Sequence, residues 1–228
     1  MTPDEYVGIA KKALLAHSNH KRALEMKAYL RGQFDFLGIQ TPARRLICKD
    51  LPRLPADPAL LLQVAEMLWK QPEREYRYVA CDLLKKNAKL FHIKDLPTLK
   101  RMLQTNAWWE TVDSLSGVVG DIVLQEKLQG IHAQDIMDQW LADEDFWVRR
   151  SAMIHQLGWR LDTDTHRLSN YALNLSSESE FFIRKAIGWA LRDYAKWNPA
   201  FVIGFVNQHR TALSSLTVRE ATKNLILK

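Results

Sequence analysis

Trp109 and Asp113 are the residues whose types and spacing point most directly to chemistry. They fall in the segment 105–114, and in a helix that begins near Trp108 they lie one turn apart on the same face. A tryptophan on a solvent-facing side of a helix exposes a large apolar surface to water unless its ring contacts a ligand or a partner. An aromatic ring and a carboxylate at this spacing are suited to holding a positive charge, through cation–π attraction and direct electrostatics.

The same helix carries a second, apolar stripe. This stripe has the spacing of a core-facing seam and consists of Trp108, Val112, Leu115 and Val119. Ser116 and Gly120 continue the other face as polar or small positions, so we expect that face to lie outside the core. The alternative is that both tryptophans belong to the core and that Asp113 only tops a polar face.

A basic stripe with one tryptophan occurs further along the chain, in the predicted helix 179–196. The stripe has helical spacing and consists of Lys185, Trp189, Arg192 and Lys196. The apolar seam of the same helix consists of Ile183, Ile187, Leu191 and Tyr194, and a structural tryptophan would sit more comfortably there. Cations beside an aromatic ring match phosphate-backbone binding, with charge for phosphates and a flat surface for a sugar or base. The pattern favours a functional role for Trp189.

The elements that must position these residues are predicted to be helices throughout. Thr2, Thr41 and Asp57 each precede a proline, which is typical of a helix cap followed by proline in the first turn. One predicted helix begins at 41, and the others cover 3–17, 19–31, 58–70, 73–88, 94–104, 108–120, 131–141, 145–157, 163–175, 179–196, 199–208 and 215–226. No run of alternating β-branched residues predicts a strand. We therefore expect an all-α protein.

An internal repeat of 35 residues supports one architecture. Glu75, Glu110, Asp145 and Glu180 each begin a helical segment at this interval, and residues 147–152 match residues 182–187 in character, position for position. Helix-pair repeats have periods of roughly 34–47 residues. We expect one domain over 1–228, a HEAT-like solenoid (an α-α superhelix) of antiparallel helix pairs with a concave binding face.

The charge of the chain is unevenly distributed. Residues 1–101 have 19 Lys/Arg and 11 Asp/Glu, residues 102–180 have 5 and 13, and residues 181–228 have 8 and 2. Two basic ends around an acidic middle indicate a polyanionic partner that is held by parts of the surface. The alternative is a solvated mixture of charges without a polyanionic partner.

Several classes of protein find no support in the sequence. The two cysteines form no disulfide framework, no apolar run is long enough to span a bilayer, and the N-terminus lacks a signal pattern. His17 and His20 have no matching carboxylate or cysteine nearby for a metal site, so solvated loop histidines are the better reading. We expect a cytoplasmic protein that does not contact membranes.

Four long motifs, in order along the chain, give a specific resemblance. They are FLGIQTPARR at 36–45, WWETVDS at 108–114, FWVRRSA at 146–152 and FFIRKAIGWALRDYAK at 181–196. With these motifs the sequence resembles the AlkD family of alkylpurine DNA glycosylases, which are built from HEAT-like repeats, over essentially its whole length. The family's lesion site then corresponds to Trp109, Asp113 and Trp189, and its active-site arginine to Arg150. The resemblance also implies DNA contacts from the turn at Gln40 and Thr41 and from Arg192 and Lys196.

The periodicity of the helix 145–157 leaves the arginine assignment open. Arg149 shares a polar face with Asp145, whereas Arg150 lies on a face with Phe146 and Met153. An arginine on such a face must reach a partner or a ligand.

The resemblance implies a DNA-3-methyladenine/7-alkylguanine-type glycosylase that acts on double-stranded DNA containing alkylated purines. It implies no cofactor and no metal, and a base that is not captured in a deep pocket. We expect a monomer that is nucleoid-associated when it acts on DNA. Positive charge grows on the sugar as the glycosidic bond breaks, so a carboxylate and aromatic faces would lower the barrier. The alternative is a non-catalytic HEAT-repeat scaffold that binds nucleic acid or protein, and the pair Trp109 and Asp113 argues against it.

Overall fold

The computed structural model describes residues 1–225, and over these residues the protein is entirely helical, with thirteen α-helices and three short 3-10 turns. The all-α prediction is confirmed. The chain divides into two compact units, Met1–Phe91 and His92–Lys228. The expectation of one domain over 1–228 stays a prediction, and position 226, where the last predicted helix was to end, lies outside the described residues.

The first unit consists of five helices. They are α1 (Pro3–Leu15), α2 (His20–Tyr29), α3 (Thr41–Lys49), α4 (Pro58–Trp69) and α5 (Arg74–Lys86). The predicted caps at Thr2 and Asp57 accept hydrogen bonds from the first turns of α1 and α4. The loop before α3 is held by the buried carboxylate of Glu75, which accepts hydrogen bonds from the backbone N–H groups of Leu37, Gly38 and Ile39.

The second unit contains the remaining helices. They are α6 (Leu96–Gln104), α7 (Trp109–Leu128), α8 (Gln134–Leu141), α9 (Phe146–Ile154), α10 (Thr165–Asn174), α11 (Phe181–Ala195), α12 (Pro199–Gln208) and α13 (Ser215–Thr222). Successive helices form pairs: α6 packs on α7, α8 on α9, α10 on α11 and α12 on α13. The second members also pack on one another in the order α7, α9, α11 and α13. This stacking of helix pairs is the predicted repeat architecture.

The repeated acidic residues do begin these helices, in two different registers. Asp145 and Glu180 are the N-caps of α9 and α11, where each side chain accepts a backbone hydrogen bond from the first turn. Glu75 and Glu110 instead occupy the second position of α5 and α7. The 35-residue interval is therefore kept by the chain, while the helix starts shift by two residues.

Helix α7 differs from its prediction in length and in the role of one face. It extends to Leu128, and Trp108 is its N-cap in extended backbone rather than a residue of the helical seam. Ser116 and Gly120, expected outside the core, are buried. The reason is close packing: a Cβ on Gly120 would lie 2.1 Å from the backbone oxygen of His155, so α9 approaches the α7 backbone directly at this glycine.

No helix among residues 1–225 is both long and apolar enough to cross a membrane.

Candidate active site

An ion pair between α7 and α9 lies at the centre of the candidate site. Arg150 donates from Nε to Oδ1 of Asp113 at 2.8 Å and from Nη2 to Oδ2 at 3.0 Å. The side chain of Arg150 is 5% exposed and that of Asp113 is 16% exposed. Two parallel hydrogen bonds between a guanidinium and a carboxylate fix both groups in orientation. Asp113 is therefore held in a fixed orientation while its side chain remains partly exposed.

Arg150 is fixed by α11 as well as by α7. Its Nη1 donates to the backbone oxygen of Phe182 in the first turn of α11. Its guanidinium carbon lies 6.0 Å from the centre of the Trp189 ring. The structure thus brings Asp113, Arg150 and Trp189 together from three neighbouring helices.

The neighbouring Arg149 has a different environment. It makes a bidentate contact to Glu178, at 2.8 and 2.9 Å, and donates to the backbone oxygens of Asp143 and Glu144. Its hydrogen bonds therefore hold the loops that precede α9 and α11. Of the two arginines, Arg150 contacts Asp113, whereas Arg149 contacts Glu178.

The pKa of Asp113 is raised above its ordinary value. Loss of hydration is the main cause, since burial disfavours the charged form, and the nearby Glu110 adds to it. The hydrogen bonds and the positive charge of Arg150 oppose the shift and keep it moderate. A desolvated carboxylate acts on a nearby cation more strongly than one in bulk water, because less solvent screens its charge.

Trp109 is half-buried at the first position of α7, one helical turn before Asp113. Trp108, predicted to lie in the core, is also only half-buried. It packs against Phe182 and Trp147, with ring centres 5.3 and 6.0 Å away. These contacts join the starts of α7, α9 and α11 in one aromatic cluster, which stabilises the helix ends that carry the ion pair.

The basic stripe of α11 is present, and each of its cations has an acidic partner. Arg192 donates from Nη1 to Oε2 of Glu220 at 2.7 Å, and Nζ of Lys185 lies 4.0 Å from Oε1 of the same residue. Lys196 donates to Asp193 at 2.6 Å, and its side chain is 60% exposed. The predicted stripe is therefore less strongly positive than the sequence pattern indicates.

Gln40 and Thr41 belong to the first unit. Gln40 is the exposed N-cap of α3, and its Oε1 accepts a hydrogen bond from Nη1 of Arg22 at 2.6 Å. Thr41 begins the helix and is also exposed. Over residues 1–225, no three His, Cys, Asp or Glu side chains are grouped to hold a metal ion. The Nδ1 atom of His17 instead forms a hydrogen bond with the backbone oxygen of Ala13.

Sequence reasoning missed two contributors to this arrangement. The backbone oxygen of Phe182 orients Arg150, and a main-chain acceptor leaves no signal in side-chain patterns. Glu220 pairs with Arg192 across 28 residues of sequence. Helical spacing relates residues within one helix and does not report partners on another.

The chain has the fold of a stacked helical-repeat protein, and its candidate site joins a desolvated aspartate, an arginine and a tryptophan. A family model described as DNA alkylation repair enzyme matches residues 10–225. The chain therefore belongs to the family of DNA alkylation repair enzymes, and the resemblance to AlkD seen in the sequence is confirmed.

Solved structures agree with this assignment. A predicted DNA alkylation repair enzyme from Enterococcus faecalis is 32% identical, with a TM-score of 0.83 over 92% of this chain and 98% of that one. AlkD2 from Streptococcus mutans is 18% identical, with a TM-score of 0.59 over 75% of this chain and 84% of that one. The alkylpurine DNA glycosylase AlkC from Pseudomonas fluorescens, solved bound to DNA containing an abasic site analog, is 17% identical, with a TM-score of 0.57. That match covers 99% of this chain and 63% of AlkC. Among curated proteins, none matches the chain.

Proposed function

We propose that the protein is a DNA glycosylase that hydrolyses the N-glycosidic bond of cationic N3- or N7-alkylated purines in duplex DNA, the first step of base excision repair. The observation that carries the proposal is the ion pair of Asp113 and Arg150 beside Trp189. It offers a fixed, partly desolvated negative charge next to an aromatic ring, which is what a developing sugar cation needs.

The reaction itself is a hydrolysis in which the leaving group is already activated. The electrons of the bond between C1′ and the base nitrogen move to the alkylated purine, whose formal positive charge is neutralised. Positive charge grows on the deoxyribose in an oxocarbenium-like transition state. Water then adds to C1′ and loses a proton, so the products are a free base and an abasic site.

In this proposal Asp113 stabilises the sugar cation and orients or deprotonates the attacking water. Trp109 and Trp189 contribute cation–π attraction of roughly 0.5–2 kcal/mol each. Arg150 orients Asp113 and favours its ionised form, and it is the fourth residue of the proposed catalytic group. The base is not enclosed in a deep pocket, so selectivity comes from the weakened bond of the cationic lesion.

The proposed DNA contacts lie in both units of the chain. Lys185 and Arg192 on α11 and Lys196 at its C-cap would contact phosphates near the lesion. Gln40 and Thr41 at the start of α3 would contact the backbone elsewhere. The partner is double-stranded DNA containing alkylated purines, bound by a monomer without a cofactor.

A scaffold that only binds nucleic acid is the competing function. Such a protein gains nothing from a desolvated carboxylate beside its DNA-binding residues, because the charge repels phosphate. The deciding experiment is incubation with a duplex containing 7-methylguanine, followed by detection of free base. Release well above the spontaneous rate, abolished in Asp113→Asn, is the expected result. Release no faster than in buffer would contradict the proposal.

A further inference from the structure

Glu220 belongs to α13, but its carboxylate lies against the basic stripe of α11. The two helices touch at Gly188, where a Cβ would lie 2.5 Å from Cβ of Glu220 and 2.8 Å from the backbone oxygen of Thr217. A glycine is therefore needed at 188 for α13 to approach this closely. Gly188 lies between Lys185 and Arg192 on α11, so the side chain of Glu220 starts midway between the two cations.

The carboxylate reaches both of these cations. Its Oε2 accepts from Nη1 of Arg192 at 2.7 Å, and the backbone oxygen of Glu220 accepts from the same nitrogen at 3.1 Å. Its Oε1 lies 4.0 Å from Nζ of Lys185. The side chain of Glu220 is 15% exposed, so solvent screens these interactions only in part. The pKa of Glu220 is lowered, mainly by the hydrogen bond from Arg192, so the group is ionised at neutral pH.

The contacts with Glu220 use one of the three guanidinium nitrogens of Arg192. Both of its hydrogen bonds to residues 1–225 come from Nη1, whereas a guanidinium has further donors on Nε and Nη2. A phosphate can therefore contact Arg192 while Glu220 remains bound to it. The two negative groups would then share one cation and repel each other.

We propose that Glu220 limits the affinity of the DNA-binding surface, because it offsets one of the two positive charges beside Trp189 and so weakens binding to undamaged DNA. The inference rests on the proposed function, because it requires that Lys185 and Arg192 face phosphates. Weak binding to intact DNA serves a repair enzyme, because the genome presents a large excess of undamaged sites that compete for the protein.

The test compares Glu220→Gln with the wild-type protein on an undamaged duplex over a range of salt concentrations. Gln keeps an oxygen that accepts from Arg192 and removes only the charge. A unit charge at about 7 Å from a phosphate in water-like surroundings changes affinity roughly three-fold. We expect Glu220→Gln to bind at least that much more tightly at low salt, with a log–log salt slope steeper by up to about 0.9. Glu220→Ala should also bind more tightly. If the thermal midpoints show that only one of the two variants is folded, the binding of that variant tests the proposal.

Asp138→Asn is the matched control. It removes a carboxylate on α8 that pairs with Arg167 on α10, and it changes the net charge by the same amount as Glu220→Gln. An equal gain in Asp138→Asn would overturn the role of Glu220, and so would unchanged or weaker binding in Glu220→Gln. The variants Lys185→Ala and Arg192→Ala separate this result from the underlying surface. If these two variants weaken binding and Glu220→Gln does not strengthen it, only the Glu220 proposal is wrong. If the two variants leave binding unchanged, the proposed DNA-binding surface on α11 is wrong, and so is the Glu220 proposal. Base release is scored in a separate assay and reports on the glycosylase proposal alone.

Discussion

At the scale of single residues, the side chains of Asp113 and Arg150 are both charged and both largely buried, and these two properties usually conflict. Burying a carboxylate costs free energy, and a buried arginine without a partner costs still more. Each group offsets the cost of the other, and the bidentate contact with Arg150 opposes the rise in the pKa of Asp113 that burial causes. The two buried charges therefore depend on each other, and loss of either one destabilises the protein.

Asp113→Asn tests the catalytic role of this charge. Asn keeps the size of the side chain and one acceptor for Arg150, but it cannot stabilise a sugar cation electrostatically. We expect single-turnover release of 7-methylguanine to fall by on the order of 100-fold or more. DNA binding should hold or tighten slightly, because a negative charge near phosphates is lost.

Stability must be measured on the same variant, because Arg150 loses its charged partner. A loss of up to about 3 kcal/mol is expected, so the assay temperature must lie well below the new thermal midpoint. Glu178→Gln is the control, since it removes the carboxylate partner of the adjacent Arg149. We expect its base release to stay within a few-fold of wild type. Full activity in a folded Asp113→Asn would end the proposed mechanism.

The pH dependence of base release should report the raised pKa of Asp113. Burial favours the neutral acid, so the carboxylate is lost at a higher pH than the ordinary value of 3.8 for this side chain. The rate requires the ionised form and should fall as pH drops through that raised pKa. Arg150→Gln removes the group that opposes the shift, so its acidic limb should move to still higher pH. Single-turnover rates from pH ~4 to ~8, corrected for spontaneous base loss, would check both statements. An acidic limb in Arg150→Gln at or below that of wild type would contradict them.

The residues of the candidate site were largely predictable from sequence, and their partners were not. The one-turn spacing of Trp109 and Asp113 follows from helix periodicity alone. Periodicity placed Arg150 on an apolar face, and only the packing of α9 between α7 and α11 shows that Asp113 and the Phe182 carbonyl meet it there. For the same reason the contact of Glu220 with Arg192 was not predicted, because it depends on how α13 packs on α11.

At the scale of elements, the close approach of α7 and α9 depends on Gly120. The sequence pattern assigned Gly120 to an outer face, because a small residue fits a polar stripe as well as a tight helix contact. This contact joins α7 to the C-terminal end of α9, and these are the two helices that carry Asp113 and Arg150.

Gly120→Ala should therefore be destabilising, although alanine favours helix more than glycine does. The added Cβ would lie 2.1 Å from the backbone oxygen of His155, and backbone cannot move away as a flexible side chain can. We expect a loss of roughly 1–3 kcal/mol in the free energy of unfolding, measured by denaturant titration. Gly204→Ala in α12 is the control, because nothing lies within 4 Å of its Cβ position. It should be neutral or stabilising by up to about 1 kcal/mol. Equal effects of the two substitutions would show that α7 and α9 are not in tight contact here.

At the scale of the whole molecule, the acidic middle of the sequence has a local structural explanation. Three of the 13 acidic residues in 102–180 surround Arg167, which contacts the carboxylates of Asp135, Asp138 and Asp164 at 2.6 to 3.2 Å. This cluster belongs to α8, α10 and the turn before α10, whereas the basic stripe belongs to α11. The charge asymmetry read from the sequence thus corresponds to different helices of one stack.

The salt dependence of DNA binding is the measurement that tests this separation of charge. Lys196 has a 60% exposed side chain, and its surface pair with Asp193 is easily exchanged for a phosphate, since exposed ion pairs contribute little. Lys196→Ala should weaken binding to every duplex sequence alike and reduce the log–log salt slope by about 0.9, the value for one lost phosphate contact. Lys100→Ala changes the net charge equally but removes a lysine of α6 that pairs with Asp143, so its slope should match wild type. Equal slopes for Lys196→Ala and wild type would remove Lys196 from the DNA surface. Equal losses in both variants would mean that net charge, and not a defined phosphate contact on α11, determines the affinity.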